Sequence, residues 1–322
     1  MLNSIILFAI MSRTHNIVVL ESLNTDLVTV TPRIPVGGET ITASSFSTGP
    51  GGKGLNQAVG CARAAITSDG DESIKVVMLG ATGTSTDDQL SDALHSILQH
   101  EGIDGSGIVR IPNVSSGTAT LLVEEHTGEN RILVVPGANG KVDQSFLERL
   151  EFKSRLWGNT NTPRATLLVP QLEIPLETVV EVIAQAGTHG VPVLLNPAPA
   201  VKDIRKETLA QVDHLIVTET EAETILSGYE NIKGPKTGDD EWLECVFKGF
   251  AKIGVEQLIV TLGAKGACYS ASGANGYESI PAVKVPAGKL VDTTPAGDTF
   301  VLSVRSLTQT DSSDSQAYAH GI

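Results

Sequence analysis

Short apolar runs recur along this chain and alternate with amphipathic stretches long enough to be helices. Asn16–Leu20, Lys75–Leu79, Ala165–Val169, Val191–Leu195, His214–Val217 and Gln257–Thr261 read as strands. Several are apolar almost without interruption, which marks strands covered on both faces. The spacing predicts an α/β chain: a large, mostly parallel sheet with helices on both faces, including an amphipathic helix over Asp87–Gln99. Two segments break the rhythm. Residues 27–48 carry turn signals at Thr31-Pro32 and Gly37-Gly38, and Thr118–Val123 and Arg131–Val135 flank a Gly128 turn as a hairpin would. Together they predict a small β-sheet lid, drawn from about 27–48 and 108–136.

Composition narrows the partners. A formal charge of −14 over 322 residues argues against nucleic acid, as do the sparse aromatics, 4% of the chain. Three cysteines, Cys61, Cys245 and Cys268, lie too far apart for a zinc or disulfide pattern, and the seven histidines make no metal-ligand spacing. The apolar Leu2–Ile10 segment lacks a basic lead and is too short to span a bilayer. Residues 1–14 are expected to be a leader outside the fold, with Met11 an alternative start. No segment reads as membrane-spanning, and the expected location is the cytoplasm, with the nucleus as a second one.

Polar residues gather where strands end, the edge at which open α/β sheets bind ligands. Asn24 and Asp26 follow the first strand, suited either to hydroxyl recognition or to an ordinary turn. Gln171 and Glu173, Asn196, Thr218 with Glu221, and the Thr261–Gly266 loop follow later ones. Gly49, Gly51 and Gly54 satisfy G-x-G-x-x-G, but Ala43–Thr48 before them is small and polar rather than a buried strand, which excludes the dinucleotide reading. What remains is a glycine-rich loop carrying Lys53 and Asn56. Near the end, Asp292-Thr-Thr-Pro-Ala-Gly-Asp298-Thr-Phe300 reads as a loop entering a helix, whose first amides attract an anion. Asp298 there is either a first-turn acid favoured by the helix dipole or a base beside a phosphoryl group.

These pieces, in this order, resemble the ribokinase-like (PfkB) family of carbohydrate kinases. The carriers are Ser22-Leu-Asn-Thr-Asp26, Gly51-Gly-Lys-Gly-Leu-Asn-Gln57, Gly128-Glu-Asn-Arg131, Pro136-Gly-Ala-Asn139, Gln171-Leu-Glu173, Asn196-Pro-Ala-Pro199, Thr261-Leu-Gly263 and Asp292–Phe300. The resemblance implies a kinase domain over 15–307, with ATP and magnesium as cofactors and potassium as an activating cation. The activity it implies is phosphorylation of D-ribose at its 5-hydroxyl. Asn24, Asp26, Gly52, Lys53, Asn56 and Glu173 would hold the sugar. Asp298 would be the base, with Ala296 and Gly297 completing the anion hole. Thr218, Thr261, Gly263, Gly266 and Gly297 would line the nucleotide, Glu221 would serve magnesium, and Asp292 and Thr294 potassium. A homodimer joined through the lid is a further implication.

The chain departs from that pattern at four places. Glu21 stands where the family usually has glycine, Thr218 where it has asparagine, and Pro295 where it has glycine or alanine. After Leu307 a polar run, Thr308–Gln316, is expected to make 308–322 a disordered tail in place of the family's last segment. The alternatives are therefore a kinase for another sugar or a nucleoside, and an inactive sugar-binding remnant.

Overall fold

A computed structural model describes residues 15–65, 74–84, 91–229, 240–270 and 276–282. Asp298 and the rest of the Asp292–Phe300 stretch, the leader and the polar tail lie outside the described residues. The large sheet begins with β1 (His15–Leu20) at its heart. The lid strands β2 (Asn24–Thr31) and β3 (Ser45–Gly51) follow, then helix α1 (Lys53–Ala64) and the long β4 (Ile74–Gly83). Helix α2 (Ser91–His100) leads to β5 (Asp104–Ile111), and the lid hairpin is β6 (Gly117–Glu124) with β7 (Asn130–Val135).

The second half keeps the expected alternation. Helices α3 (Gln144–Leu147) and α4 (Leu150–Trp157) precede β8 (Leu167–Pro170). Helix α5 (Leu176–His189) starts after Pro175 and stops at Gly190, whose φ of 62° ends the helix in the left-handed conformation. Then come β9 (Leu194–Leu195), α6 (Lys206–Leu209), β10 (His214–Thr218) and α7 (Glu219–Leu226). Helix α8 (Asp240–Ile253), β11 (Leu258–Thr261), β12 (Ala267–Ser270) and β13 (Tyr277–Ile280) complete the described chain.

Strands order as β5-β4-β1-β8 and β9-β10-β11-β12-β13, and the two groups join through a parallel bridge between Leu168 and Val193. From β5 to β11 the strands are parallel; β12 and β13 run antiparallel at one edge. Because successive side chains point to opposite faces, each strand feeds two cores. Val18, Leu20, Leu168 and Val217 join Phe152, Val182, Trp242 and Phe250 on one face. Ile17, Val19, Val169 and Ile216 meet Leu55, Ala58, Leu94 and Leu98 on the other. That double burial is the reason the strand sequences are continuously apolar.

The lid is a separate sheet of order β3-β2-β6-β7, with β2 and β6 parallel and the outer pairs antiparallel. Residues 108–111, expected in the lid, instead pair with β4 in the large sheet, where a register shift between Val77 and Leu79 accommodates β5. The glycines in Asp104–Ile111 dilute its apolar signal. Among the described residues no helix is long and apolar enough to cross a membrane.

Phe250 is fully buried in the larger core, whereas Leu150 is 81% exposed. Phe250→Ala should destabilise the chain by about 3–5 kcal/mol in urea unfolding, and Leu150→Ala by less than about 0.5 kcal/mol. Equal effects would contradict this division of core and surface.

Candidate active site

The site is built where β1 ends and the chain crosses from the large sheet into the lid. Leu20 pairs in register with Pro170 of β8, so Glu21–Leu23 and Gln171–Glu173 leave the sheet side by side. Glu173 Oε2 is the hub. It accepts from Ser22 Oγ at 2.5 Å, Asn24 Nδ2 at 3.4 Å and the Lys53 backbone N–H at 3.2 Å. Asn24, Lys53 and Glu173, expected together from the sequence, are thus in direct contact.

The remaining sugar-site candidates are placed by packing. Gly52 has φ of 90°, and a Cβ there would lie 2.7 Å from the Asn24 backbone nitrogen, so this turn requires glycine. The Asp26 carboxylate lies over Gly51, where a Cβ would overlap it. Asn56 sits in the first turn of α1, its N–H bonded to the Gly52 carbonyl at 2.9 Å.

Three residues under this cluster carried no assigned role in the sequence. Asn139, 1% exposed, accepts from the Leu23 N–H at 3.0 Å and donates to the Leu23 carbonyl at 3.1 Å and to Asn24 Oδ1 at 2.8 Å. A lone asparagine in a Pro-Gly-Ala-Asn turn offers little to single it out. Glu21 is fully buried; its Oε1 accepts from the Glu173 N–H at 2.7 Å and its Oε2 from the Ser22 N–H. Burial pushes its carboxyl up to about 8, and the neighbouring Glu173 carboxylate adds to that rise. Gln57 is the third, donating to Asn196 Oδ1 at 3.2 Å, while Asn196 donates to the Ile216 carbonyl at 3.0 Å.

The nucleotide-side candidates occupy the same carboxyl edge, at the ends of β10 and β11, where Thr218 and Thr261 are register partners. Thr218 caps α7 in a reciprocal box. Its N–H bonds Glu221 Oε2 at 2.8 Å, and its Oγ1 accepts from the Glu221 N–H at 3.3 Å. Thr218 therefore supplies the local cap that an asparagine there could supply. Thr261 Oγ1 reaches the Val217 carbonyl at 3.4 Å. Gly263 and Gly266 bracket a short 3-10 turn with φ of 56° and 104°, and Gly263 is open on its Cβ side.

Magnesium bound with a nucleotide usually keeps several waters and takes one or two carboxylates besides phosphate oxygens. Glu221 fits that role through Oε1, which has no hydrogen bond among the described residues; Oε2 is committed to the cap. The described residues hold no group of three or more His, Cys, Asp or Glu that would make an all-protein metal cage. Asp292 and Thr294, assigned to potassium, and Ala296, Gly297 and Asp298 lie outside the described residues.

A family model described as pfkB family carbohydrate kinase matches residues 14–320. The chain belongs to the pfkB family of carbohydrate kinases. The match runs past Leu307 through most of the polar tail. A ribokinase of Schizosaccharomyces pombe is 41% identical over 290 residues, covering 89% of this chain and 83% of that one. A deoxyribokinase of Salmonella typhi is 32% identical over 286 residues, covering 89% and 83%. The solved Arabidopsis thaliana ribokinase complexed with ribose and ATP superposes with a TM-score of 0.67 at 27% identity, covering 91% of this chain and 84% of that one. The large sheet with its lid is thus the ribokinase fold, and the chain is a phosphotransferase acting on sugar or nucleoside hydroxyls.

Asn139→Ala would leave the Leu23 N–H and carbonyl and the Asn24 amide without their buried partner. With each stranded group costing ~1–3 kcal/mol, a loss of about 2–4 kcal/mol is expected in chemical unfolding. A change below about 0.5 kcal/mol would show that Asn139 does not hold this crossing.

Proposed function

We propose that this pfkB kinase transfers the γ-phosphoryl group of ATP to the 5-hydroxyl of D-ribose, giving D-ribose 5-phosphate. The observation that carries the reading is the cradle of Ser22, Asn24, Lys53 N–H and Glu173, braced by Asn139 in a chain 41% identical to a ribokinase. A carboxylate and amides held in fixed geometry suit a polyol. A sugar that cannot pair with them leaves buried polar groups unsatisfied, and that penalty discriminates among substrates.

In this mechanism Asn24, Asp26, Gly52, Lys53, Asn56 and Glu173 orient the sugar. Asp298 takes the proton from the attacking hydroxyl, and the amides of Ala296, Gly297 and Asp298 stabilise charge on the transferring group. Thr218, Thr261, Gly263, Gly266 and Gly297 border the nucleotide. Glu221 would hold magnesium, which would supply charge neutralisation at the phosphates, and Asp292 and Thr294 would hold potassium as an activating cation. Phosphoryl transfer asks the protein mainly for positioning and charge stabilisation.

The deoxyribokinase relative favours a second reading, a closely related sugar as the preferred acceptor. A panel of ribose, 2-deoxyribose and nucleosides separates the two by kcat/KM. With ATP, magnesium and potassium present, ribose-dependent ADP release is expected, and Asp298→Ala should lower kcat by ~10²–10⁴. A folded chain that releases no ADP with any acceptor would instead fit a sugar-binding remnant.

The lid supports the homodimer reading as well. Ile132, Leu133, Val134 and Val135 of β7 are 48–62% exposed, and Phe46 of β3 is 65% exposed. Apolar sheet surface of this kind is covered by a partner in stable proteins. Leu133→Asp should shift the chain from dimer to monomer in sedimentation velocity and abolish any rise of Tm with protein concentration. A wild-type chain that sediments as a monomer at micromolar concentration would overturn the dimer.

A further inference from the structure

Glu21 belongs to none of the roles assigned above, yet it is the acidic residue most deeply built into the sugar site. It cannot swing away. A Cβ on Gly54 of α1 would lie 2.5 Å from the Glu21 Cβ, and one on Gly80 of β4 would lie 2.5 Å from the Glu21 carbonyl oxygen. Its own N–H is bonded to the Leu79 carbonyl at 3.0 Å. Both carboxyl oxygens are spent on backbone donors, one on each of the two segments that carry the cradle: Ser22 after β1 and Glu173 after β8. Glu173 is then presented to Ser22 Oγ, Asn24 and Lys53.

We propose that Glu21 is a positioning residue for the sugar site, fixing Glu173 through its backbone and weakening sugar binding when it becomes charged. The inference rests on the sugar-site reading of this cradle. Two carboxylates held this close repel, and with the Glu21 carboxyl fully buried and tied to two backbone donors the strain falls on the partly exposed partner, Glu173. Among the described residues, the charged groups on the elements around Glu21 are Glu173 after β8, Lys53 at the start of α1 and Asp26 on β2; β4 meets it with Gly80 and the Leu79 carbonyl. Burial, with the Glu173 charge second, already places Glu21 at about 8, so it is neutral at pH 7 and ionises just above.

Calorimetric titration of the full chain with D-ribose across pH 6.5 to 9.5 tests this. A group near 8 whose charged form binds poorly raises the apparent Kd about tenfold from pH 7 to pH 9. The steady-state KM for ribose should follow it while the KM for ATP does not. Glu21→Gln keeps the size without the titration and should flatten that rise to within about twofold; Glu21→Gly, lacking the carboxyl, should flatten it too. A flat wild-type profile, or the same rise in either variant, overturns the proposal.

A second measurement separates this failure from that of the sugar reading. The native state holds a proton on Glu21 between about 4.5 and 8 that the unfolded chain releases, so stability must fall as pH rises through that window and level off above it. The unliganded Tm should show this decline, less steep in Glu21→Gln. If no sugar binds at any pH while that slope is present, the sugar reading fails and takes the positioning role with it. If sugar binds but the slope is absent, the sugar reading stands and the Glu21 proposal alone is lost.

Discussion

The amide of Asn139 holds the point at which the chain leaves one sheet and enters another. Leu23 lies between β1 and β2, where it has no strand partner, and Asn139 gives both its backbone groups the bonds that a neighbouring strand would give. A buried backbone pair left without partners costs as much as losing the hydrogen bonds themselves. The same side chain then donates to Asn24, so the amide that stabilises the crossing also aims a sugar-site residue. Glycines make the arrangement possible. Asn24 is flanked in the lid by Gly51 and Gly117, and a Cβ on Gly117 would overlap the Asn24–Asn139 bond.

Beneath the crossing lie two carboxyl groups in contact through the Glu173 N–H, and burial falls on them unequally. Glu173 is partly exposed and receives hydrogen bonds from a hydroxyl, an amide and a backbone N–H on one oxygen. Glu21 has two backbone donors and no access to solvent. Glu21, standing where the family usually has glycine, fills the floor with a carboxyl that burial pushes up to about 8.

Much of this was legible in the sequence because burial on both faces leaves a periodic trace. The runs at Asn16–Leu20 and His214–Val217 announced their strands, and Gly128 between two apolar segments announced the lid hairpin. β5 escaped because Asp104–Ile111 carries two glycines and lies at the sheet's edge, where the apolar demand is weaker. β9 shrank to Leu194–Leu195 plus a bridge because the chain turns at Asn196–Pro199. The contact of Asn24 and Lys53 with Glu173 joins polar residues at two strand ends to the glycine-rich loop, all three of which the sequence displayed. Asn139 and Glu21 were not displayed in this way, since their roles depend on contacts over 116 and 152 positions of separation that no local pattern encodes.

The two halves of the site are prepared to different degrees, and electrostatics explains the difference. The sugar side is already knit together by side chains. On the nucleotide side the one described helix that starts at the edge, α7, has its N-terminus closed by its own capping box, with Glu221 placing negative charge where an anion would otherwise sit. Thr261 and the open Gly263 turn offer shape, and the turn's one basic side chain is Lys265. In a chain of net charge −14, the proposed mechanism meets phosphate with backbone amides and a bound metal more than with a basic surface. That leaves the anion-binding role, in the proposed mechanism, to the amides of Ala296, Gly297 and Asp298. In the same mechanism Glu221 would serve the cation that phosphate brings with it, an acid being unsuited to holding phosphate directly.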